Sequence, residues 1–379
     1  MPVRPRLRLT TPLRARWTYP EVARRTQHPT FDMSSLQNLR CCALGGLLSL
    51  ILLPSSALAQ GCVISRGGGA AAITDGSGYL NKGDWQVTLS MRHFDSHRHF
   101  AGDDEQTIRS EQGTEVYNDS WFYDTTLTYA WTKRVSASLT LPFVNHDRSS
   151  LYEHLGNGSG QRFSTQASGI ADVQIGAAVW LIDPDKAMTW NVLIGTSLKF
   201  PTGDAEARDI FMRSTGPQER YVDSSIQPGD GGTGFTVQLG AFYMLDHWVP
   251  NVSLYGNGFY LFNPEERNEK TGFSIPDGYM VRGGVEYRFP HVQGLSASLG
   301  MRNEGIVAHD AFGGSRGSRR PGFAVAVEPG VTYAKGRYSA TFTFPIAVHR
   351  NRVTTFGAIK AGDAAFADYT WNLSLSMKL

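Results

Sequence analysis

The sequence predicts an all-β chain: a transmembrane, up-and-down antiparallel β-barrel of about twelve strands. Three observations carry that prediction. Apolar residues alternate with small or polar ones over runs of about ten residues, the length of a tilted strand that crosses a bilayer. The connections between these runs alternate strictly between short and long. Charged residues fall on the polar parity of the runs, not on the apolar one.

Residues 169–204 show the unit most plainly. Ala171, Val173, Ile175, Ala177, Val179 and Leu181 make one face, with Asp172, Gln174, Gly176, Ala178 and Trp180 between them. After a polar turn at 182–186, Trp190, Val192, Ile194, Thr196, Leu198 and Phe200 alternate with Asn191, Leu193, Gly195, Ser197 and Lys199. Two period-two runs joined by a tight turn read as a hairpin. Strands this long exceed the roughly five or six residues usual in water-soluble sheets. The apolar face is therefore expected to meet lipid.

Ten more segments repeat the unit, at 85–94, 121–131, 135–144, 235–245, 251–261, 279–289, 295–304, 323–333, 338–348 and 369–379. The short connections are 132–134, 182–187, 246–250, 290–294 and 334–337. The long ones are 95–120, 145–169, 201–234, 262–278, 305–322 and 349–368. Short periplasmic turns, long outer loops and an even strand count are the habit of outer-membrane barrels, whereas a β-sandwich has no reason to sort its loops. Trp131, Trp190, Trp248, Phe289, Tyr333 and Tyr338 crowd the short turns, where an interfacial aromatic belt belongs. Pro142, Pro329 and Pro345 fall inside strands and cannot donate to a ladder. Local bulges are expected at each, with Pro329 the hardest to place because it lies nearest mid-strand.

The leader explains the net charge of the 379-residue chain. Residues 1–59 hold eight arginines and two acids, so the remainder carries 28 basic against 32 acidic residues. The overall +2 is thus no sign of a nucleic-acid partner. Residues 40–61, RCCALGGLLSLILLPSSALAQG, run from a basic residue through a short apolar stretch to Ala57-Leu58-Ala59. That is the order of a secretory signal cleaved after Ala59, and the stretch is too short to span a bilayer. The expected organisation is an upstream segment at 1–32, untranslated if Met33 is the start, a signal peptide at 33–59, a periplasmic lead-in at 60–83 and the barrel at 84–379. Cys41, Cys42 and Cys62 show no Cys-x-x-Cys or zinc spacing. Mean hydropathy resembles that of a water-soluble protein, which fits a barrel because alternating strands average out. The expected location is the outer membrane of a Gram-negative bacterium, among lipid and lipopolysaccharide. Insertion there is expected to go through the assembly machinery that reads the C-terminal strand.

Candidate lumen-lining residues are Arg92, Asp124, Asp172, Lys199, Arg282, Glu286, Arg288, Arg302, Glu304 and Glu328, with His349 and Asp368 on the same parity. Asp172, Lys199, Arg282, Glu286, Arg302 and Glu328 are expected to form a ladder of opposed charges. Asp172 faces Lys199 if paired residue numbers sum to 371. The ladder either selects solutes or simply neutralises itself to fill a barrel of intermediate width. His93, His97 and His99 cluster with Asp95, but the spacing is not diagnostic of a metal site, and a solvated loop accounts for it. His146-Asp147-Arg148-Ser149 are neighbours in sequence, which does not make a triad. The acids Asp103, Asp104, Glu105, Asp204, Glu206 and Asp230 read as loop tips. Gly229-Asp230-Gly231-Gly232 lacks the Gly-Lys-Ser/Thr of a nucleotide loop. No catalytic residue, metal or cofactor is expected.

Three pieces, GIAD at 169–172, SLKFPTGD at 197–204 and IQPGDGG at 226–232, resemble the outer-membrane family named for the meta-pathway of phenol degradation. The resemblance implies an outer-membrane channel, in some members linked with the breakdown of aromatic compounds, and it implies no catalytic residues. The last strand resembles the terminal strand of outer-membrane barrels, except that it ends on Leu379 and not on an aromatic residue. The expected function is passive or facilitated passage of small solutes, aromatic or apolar ones included. The alternative is a closed structural or surface-recognition barrel with its function in the outer loops. A barrel enzyme is the weaker third reading.

Overall fold

The computed structural model describes residues 79–187, 189–356, 359–360 and 362–379. The upstream segment expected at 1–32, the signal peptide expected at 33–59 and residues 60–78 of the expected lead-in lie outside the described residues. Among the described residues twelve strands close an antiparallel barrel. They are β1 (Trp85–Ala101), β2 (Tyr117–Ala130), β3 (Val135–Ser150), β4 (Phe163–Ile170, continued by Gln174–Trp180), β5 (Trp190–Lys199) and β6 (Gly234–Met244). The second half comprises β7 (Val252–Phe262), β8 (Gly278–Arg288), β9 (Leu295–Ile306), β10 (Gly322–Lys335), β11 (Tyr338–Thr343, continued by Ile346–Arg352) and β12 (Ala364–Lys378). Each pairs with its sequence neighbour, and β1 pairs with β12 from Gln86 opposite Lys378 to Phe100 opposite Ala364. Closure leaves the wall no free edge, which lipid would not tolerate.

The alternation sets the two faces. Leu89, Ile175, Leu239, Val281 and Leu299 are all at least half exposed on the outside, an apolar surface that only a bilayer can cover. Trp85, Trp131, Trp190 and Tyr243 ring the short-turn end. A second aromatic belt rings the other end, with Trp121 and Trp371 in edge contact at 5.3 Å and Phe235 stacked on Phe262 at 4.7 Å. On β2 the belts, marked by Trp121 and Tyr129, lie about 26 Å apart along the strand, the scale of the apolar band of a membrane barrel. Beyond the second belt β1, β3 and β4 run on past the apolar alternation, where sequence periodicity no longer reports them.

Two of the prolines, Pro142 and Pro329, sit where the neighbouring strand is interrupted, and the third, Pro345, lies in one of those interruptions. β4 breaks at 171–173 beside Pro142, whose carbonyl accepts from Ala171 N at 2.9 Å. β11 breaks at 344–345, and there Phe344 N donates to Pro329 O at 2.9 Å. In both places the missing proline N–H points at a gap, so no ladder partner goes unmet. Pro329 is thereby accounted for by Pro345 on the adjacent strand.

One assignment is corrected. Val325 pairs with His349 but Ala326 pairs with Ala347, which leaves Val348 as a bulged extra residue. The bulge flips parity. His349 therefore turns to the outer face beside Phe323, ring centroids 5.4 Å apart, and Arg350 and Arg352 turn inward and are buried. Asp368 stays at the β11–β12 seam, accepting from Arg98 and Arg350 at 2.6 Å each.

The short turns are tight. Gly294 has φ +82°, and a Cβ there would lie 1.8 Å from Ala334 O. At Gly256 a Cβ would meet only Arg282 O, at 3.8 Å. Gly294→Ala is expected to cost more than about 1 kcal/mol and to reduce the folded, heat-modifiable band on unboiled gels. Gly256→Ala should leave that band unchanged.

Candidate functional site

The side chains that meet inside the barrel come mainly from β8, β9 and β10. Period two puts Arg302 and Glu304 on one face of β9, and Arg302 Nη2 donates to Glu304 at 2.8 Å. Arg282 stands directly opposite Arg302 in the β8–β9 register, a like-charge pair that would repel on its own. Glu328 of β10 resolves it by accepting from Arg282 at 2.8 Å and from Arg302 at 3.4 Å. Arg282 Nε also donates to Asn257 of β7 at 2.8 Å.

The next link crosses the interior. Arg92 of β1 donates through Nη2 to both Glu304 oxygens, at 3.1 Å each. β1 and β9 are separated along the wall by β10, β11 and β12, so the bond runs through the inside of the barrel. Asp124 of β2 acts on Arg92 electrostatically. The Glu328 side chain is only 2% exposed and that of Glu304 11%. Charges this deep are held by one another, and removing one partner of such a pair typically costs about 3–5 kcal/mol.

On the short-turn side of this crossing lies a cavity of about 230 Å³. Thr88, Thr126, Ser138, Thr140, Gln174 and Gln238 line it together with apolar Trp180, Leu193 and Phe259, and Lys133 and Arg134 of the short turn complete the lining. Several of the wall's hydroxyls bond across the strands, Thr126 to Thr140 at 2.9 Å and Thr88 to Ser376 at 2.9 Å. Near the short-turn mouth, Tyr79 packs edge-on against Trp180 at 4.8 Å. It accepts from Asn191 Nδ2 through its hydroxyl at 2.8 Å and from Lys378 Nζ through its carbonyl at 2.9 Å.

The other end is capped by the loop at 200–233. Lys199 Nζ lies 3.7 Å from Asp172 and 2.5 Å from Asp230. Asp172 also accepts from Gly203 N at 3.0 Å and from Asp230 N at 3.3 Å. Lys199 stands opposite Gln174, so paired numbers sum to 373 and not 371; the Asp172–Lys199 contact is a diagonal one. Gly203 and Gly229 nearly touch, since a Cβ on Gly229 would lie 2.4 Å from Gly203 O. Further along the loop Val222 and Ile226 are fully buried, and Asp223 accepts from Arg320 of the 307–321 loop. Asp223 also lies 3.7 Å from Arg148 of β3. Burial opposes ionisation of Asp223, but Arg148 and Arg320 outweigh it and hold the carboxyl well below its usual range.

The remaining candidates go elsewhere. Glu286 is buried against Ser253 and Ser296 towards the short-turn end, and Arg288 pairs with Asp246 at the rim at 2.8 Å. The histidines of the first strand diverge: His93 contacts Asp119 at 3.0 Å, whereas His99 contacts Asp363 at 3.1 Å and accepts from Val116 N. Asp363, also hydrogen-bonded to Arg109, sits below its usual range despite burial. Sequence reasoning missed the cap residues Arg148, Asp223 and Arg320, which lie in or next to segments without periodicity. It also missed the inward turn of Arg350 and Arg352.

A closed barrel with a lipid-facing apolar surface and a charged interior defines the class: a transmembrane β-barrel. Residues 90–332 match the family described as "Putative MetA-pathway of phenol degradation", and the chain belongs to that family. Among solved structures it is similar to an outer membrane channel from Pseudomonas putida F1, at 12% identity and a TM-score of 0.53, over 81% of this chain and all of that one. It is also similar to the β-domain of the Bordetella autotransporter BrkA, at 10% identity and a TM-score of 0.43, over 79% of this chain and all of that one. At 12% identity the likeness to the Pseudomonas channel extends to the fold alone.

Asp223 offers a test of the cap. A carboxyl held low adds stability that is fully present above its unfolded pKa, roughly 3.8, and is lost only as pH falls through the lower folded value. Proteolysis of the 200–233 loop should therefore be the same at about pH 5 and about pH 8. Asp223→Asn should accelerate it at either pH, by up to the roughly 3–5 kcal/mol of a broken buried pair.

Proposed function

We propose that the chain is an outer-membrane channel for small solutes, aromatic and apolar ones included, and that the conformation described is its closed one. The observation that carries this reading is the Arg92–Glu304 bond across the interior above the hydroxyl-lined cavity. The Arg92–Glu304 bond is made by side chains, which move more easily than the backbone of the wall. About 150 Å³ suffices to hold a benzene molecule in a protein, so 230 Å³ accommodates a single-ring solute. The family description, with its phenol degradation, supports the same solute size. An export segment ending at Ala59 supports delivery to the outer membrane, where the C-terminal strand would engage the insertion machinery and the long loops would meet lipopolysaccharide. The reading requires no catalytic group.

The filled interior also favours a second reading, a closed barrel whose loops do the recognising. The fully buried Arg319–Asp310 pair, which stiffens the 307–321 loop, suits that role. Single-channel recording separates the two. On the channel reading, wild-type protein in planar bilayers gives small, infrequent openings. Arg92→Ala, by removing the link across the interior, should raise mean conductance several-fold. Silence from both proteins, with folding confirmed on gels, would leave the recognition reading standing.

A further inference from the structure

We infer that the ionic crossing is a carboxylate-recognition site, in which a small monocarboxylate solute displaces Glu304 from Arg92 and so releases the link across the barrel. The inference rests on the channel reading and names the solute class of the same site.

The geometry of the Arg92–Glu304 contact is the starting point. Both carboxylate oxygens share one donor atom, Nη2, at 3.1 Å each. The strongest guanidinium–carboxylate pairs use two parallel N–H···O bonds from two nitrogens. Glu304 is held on its other side by Arg302 at 2.8 Å, so it meets Arg92 end-on. A free carboxylate has no such tether and can take the parallel arrangement on Nε and Nη2.

Unused donors point the same way. Arg92 Nε, Arg302 Nε and Asn257 Nδ2 are buried and donate to no acceptor in the protein. Each is a pure donor, and a buried donor without an acceptor carries its full desolvation penalty. An incoming oxygen acceptor relieves that penalty, whereas a cation or a hydrocarbon does not. Asp124, the other acid acting on Arg92, offsets part of the positive charge, which favours one added negative charge over two. Below the crossing Thr88, Thr126, Thr140 and Gln174 offer neutral polar contacts, and the cations of the lining, Lys133 and Arg134, belong to the short turn at the far end. The cavity size sets the body of the solute at about one ring.

The probes are benzoate and benzyl alcohol, which share a ring and differ in the charged acceptor. Added to the folded, exported form of the chain in planar bilayers, benzoate should raise open probability at least about tenfold more than benzyl alcohol, the scale of one charge-assisted hydrogen bond. Arg92→Gln should conduct without either solute and bring the ratio near one. Glu304→Gln, which keeps a neutral acceptor on Arg92 and so weakens the competitor without removing the link, should lower the half-saturating benzoate concentration, and it serves if Arg92→Gln fails to fold. Equal responses to the two probes in the wild type would overturn the inference and leave the channel reading intact. So would a preference that survives Arg92→Gln, or an unchanged benzoate concentration in Glu304→Gln. Absence of current from every folded variant would overturn the channel reading and the inference together.

Discussion

A strand in lipid has no water to satisfy its amides, so each must find its partner within the wall. The rest of this structure follows from that constraint. β12 returns to β1 because an open edge is not permitted, and their shared register runs from Gln86 to Phe100 with shifts only between Phe94 and Arg98. The same constraint explains where prolines can stand. Pro142 and Pro329 each face a break in the adjacent strand, and Pro345 forms one of those breaks. What look like three defects in the sequence are thus two matched interruptions in the ladder.

Closure then decides the fate of the charges. Once the apolar parity is committed to lipid, every charged residue on the other parity shares one interior, and its partners need not be neighbours along the wall. Arg92 meets Glu304 across the interior, and Glu304 leads through Arg302 and Glu328 to Arg282. The charges are not spread evenly: hydroxyls, amides and apolar side chains line most of the compartment beneath them, and its cations, Lys133 and Arg134, come from the short turn. Towards the loops a second group forms, with Asp223 joining β3 to the 307–321 loop. A charged waist above an unfilled compartment favours the channel reading over a filled plug.

The alternation made the wall legible. Trp190 to Leu198 and Ile175 to Leu181 could be sorted into faces from residue types alone, because one face had to be apolar; Ala171, expected on the same face, is buried in the break of β4. The strand count and the loop asymmetry followed from the same signal. The failures have physical causes. His349 was misplaced because a bulge at Val348 changes parity without changing composition. The register of the opening hairpin was missed by two residues because such a slip preserves both faces. Lys199 still reaches Asp172 diagonally, but its shorter contact is with Asp230 from a loop that no periodicity describes. The Arg92–Glu304 bond was not legible at all, since pairing rules order neighbours along the wall and say nothing about what touches across it.

On the channel reading, one bond between Arg92 and Glu304 holds the interior shut. A charge-reversal cycle measures it most directly: single-channel conductance of Arg92→Glu, of Glu304→Arg and of the double exchange, each compared with the wild type. The account predicts that both single reversals conduct freely and that the double exchange returns to the low wild-type level. Additive effects, with the double exchange as open as the single changes combined, would contradict it.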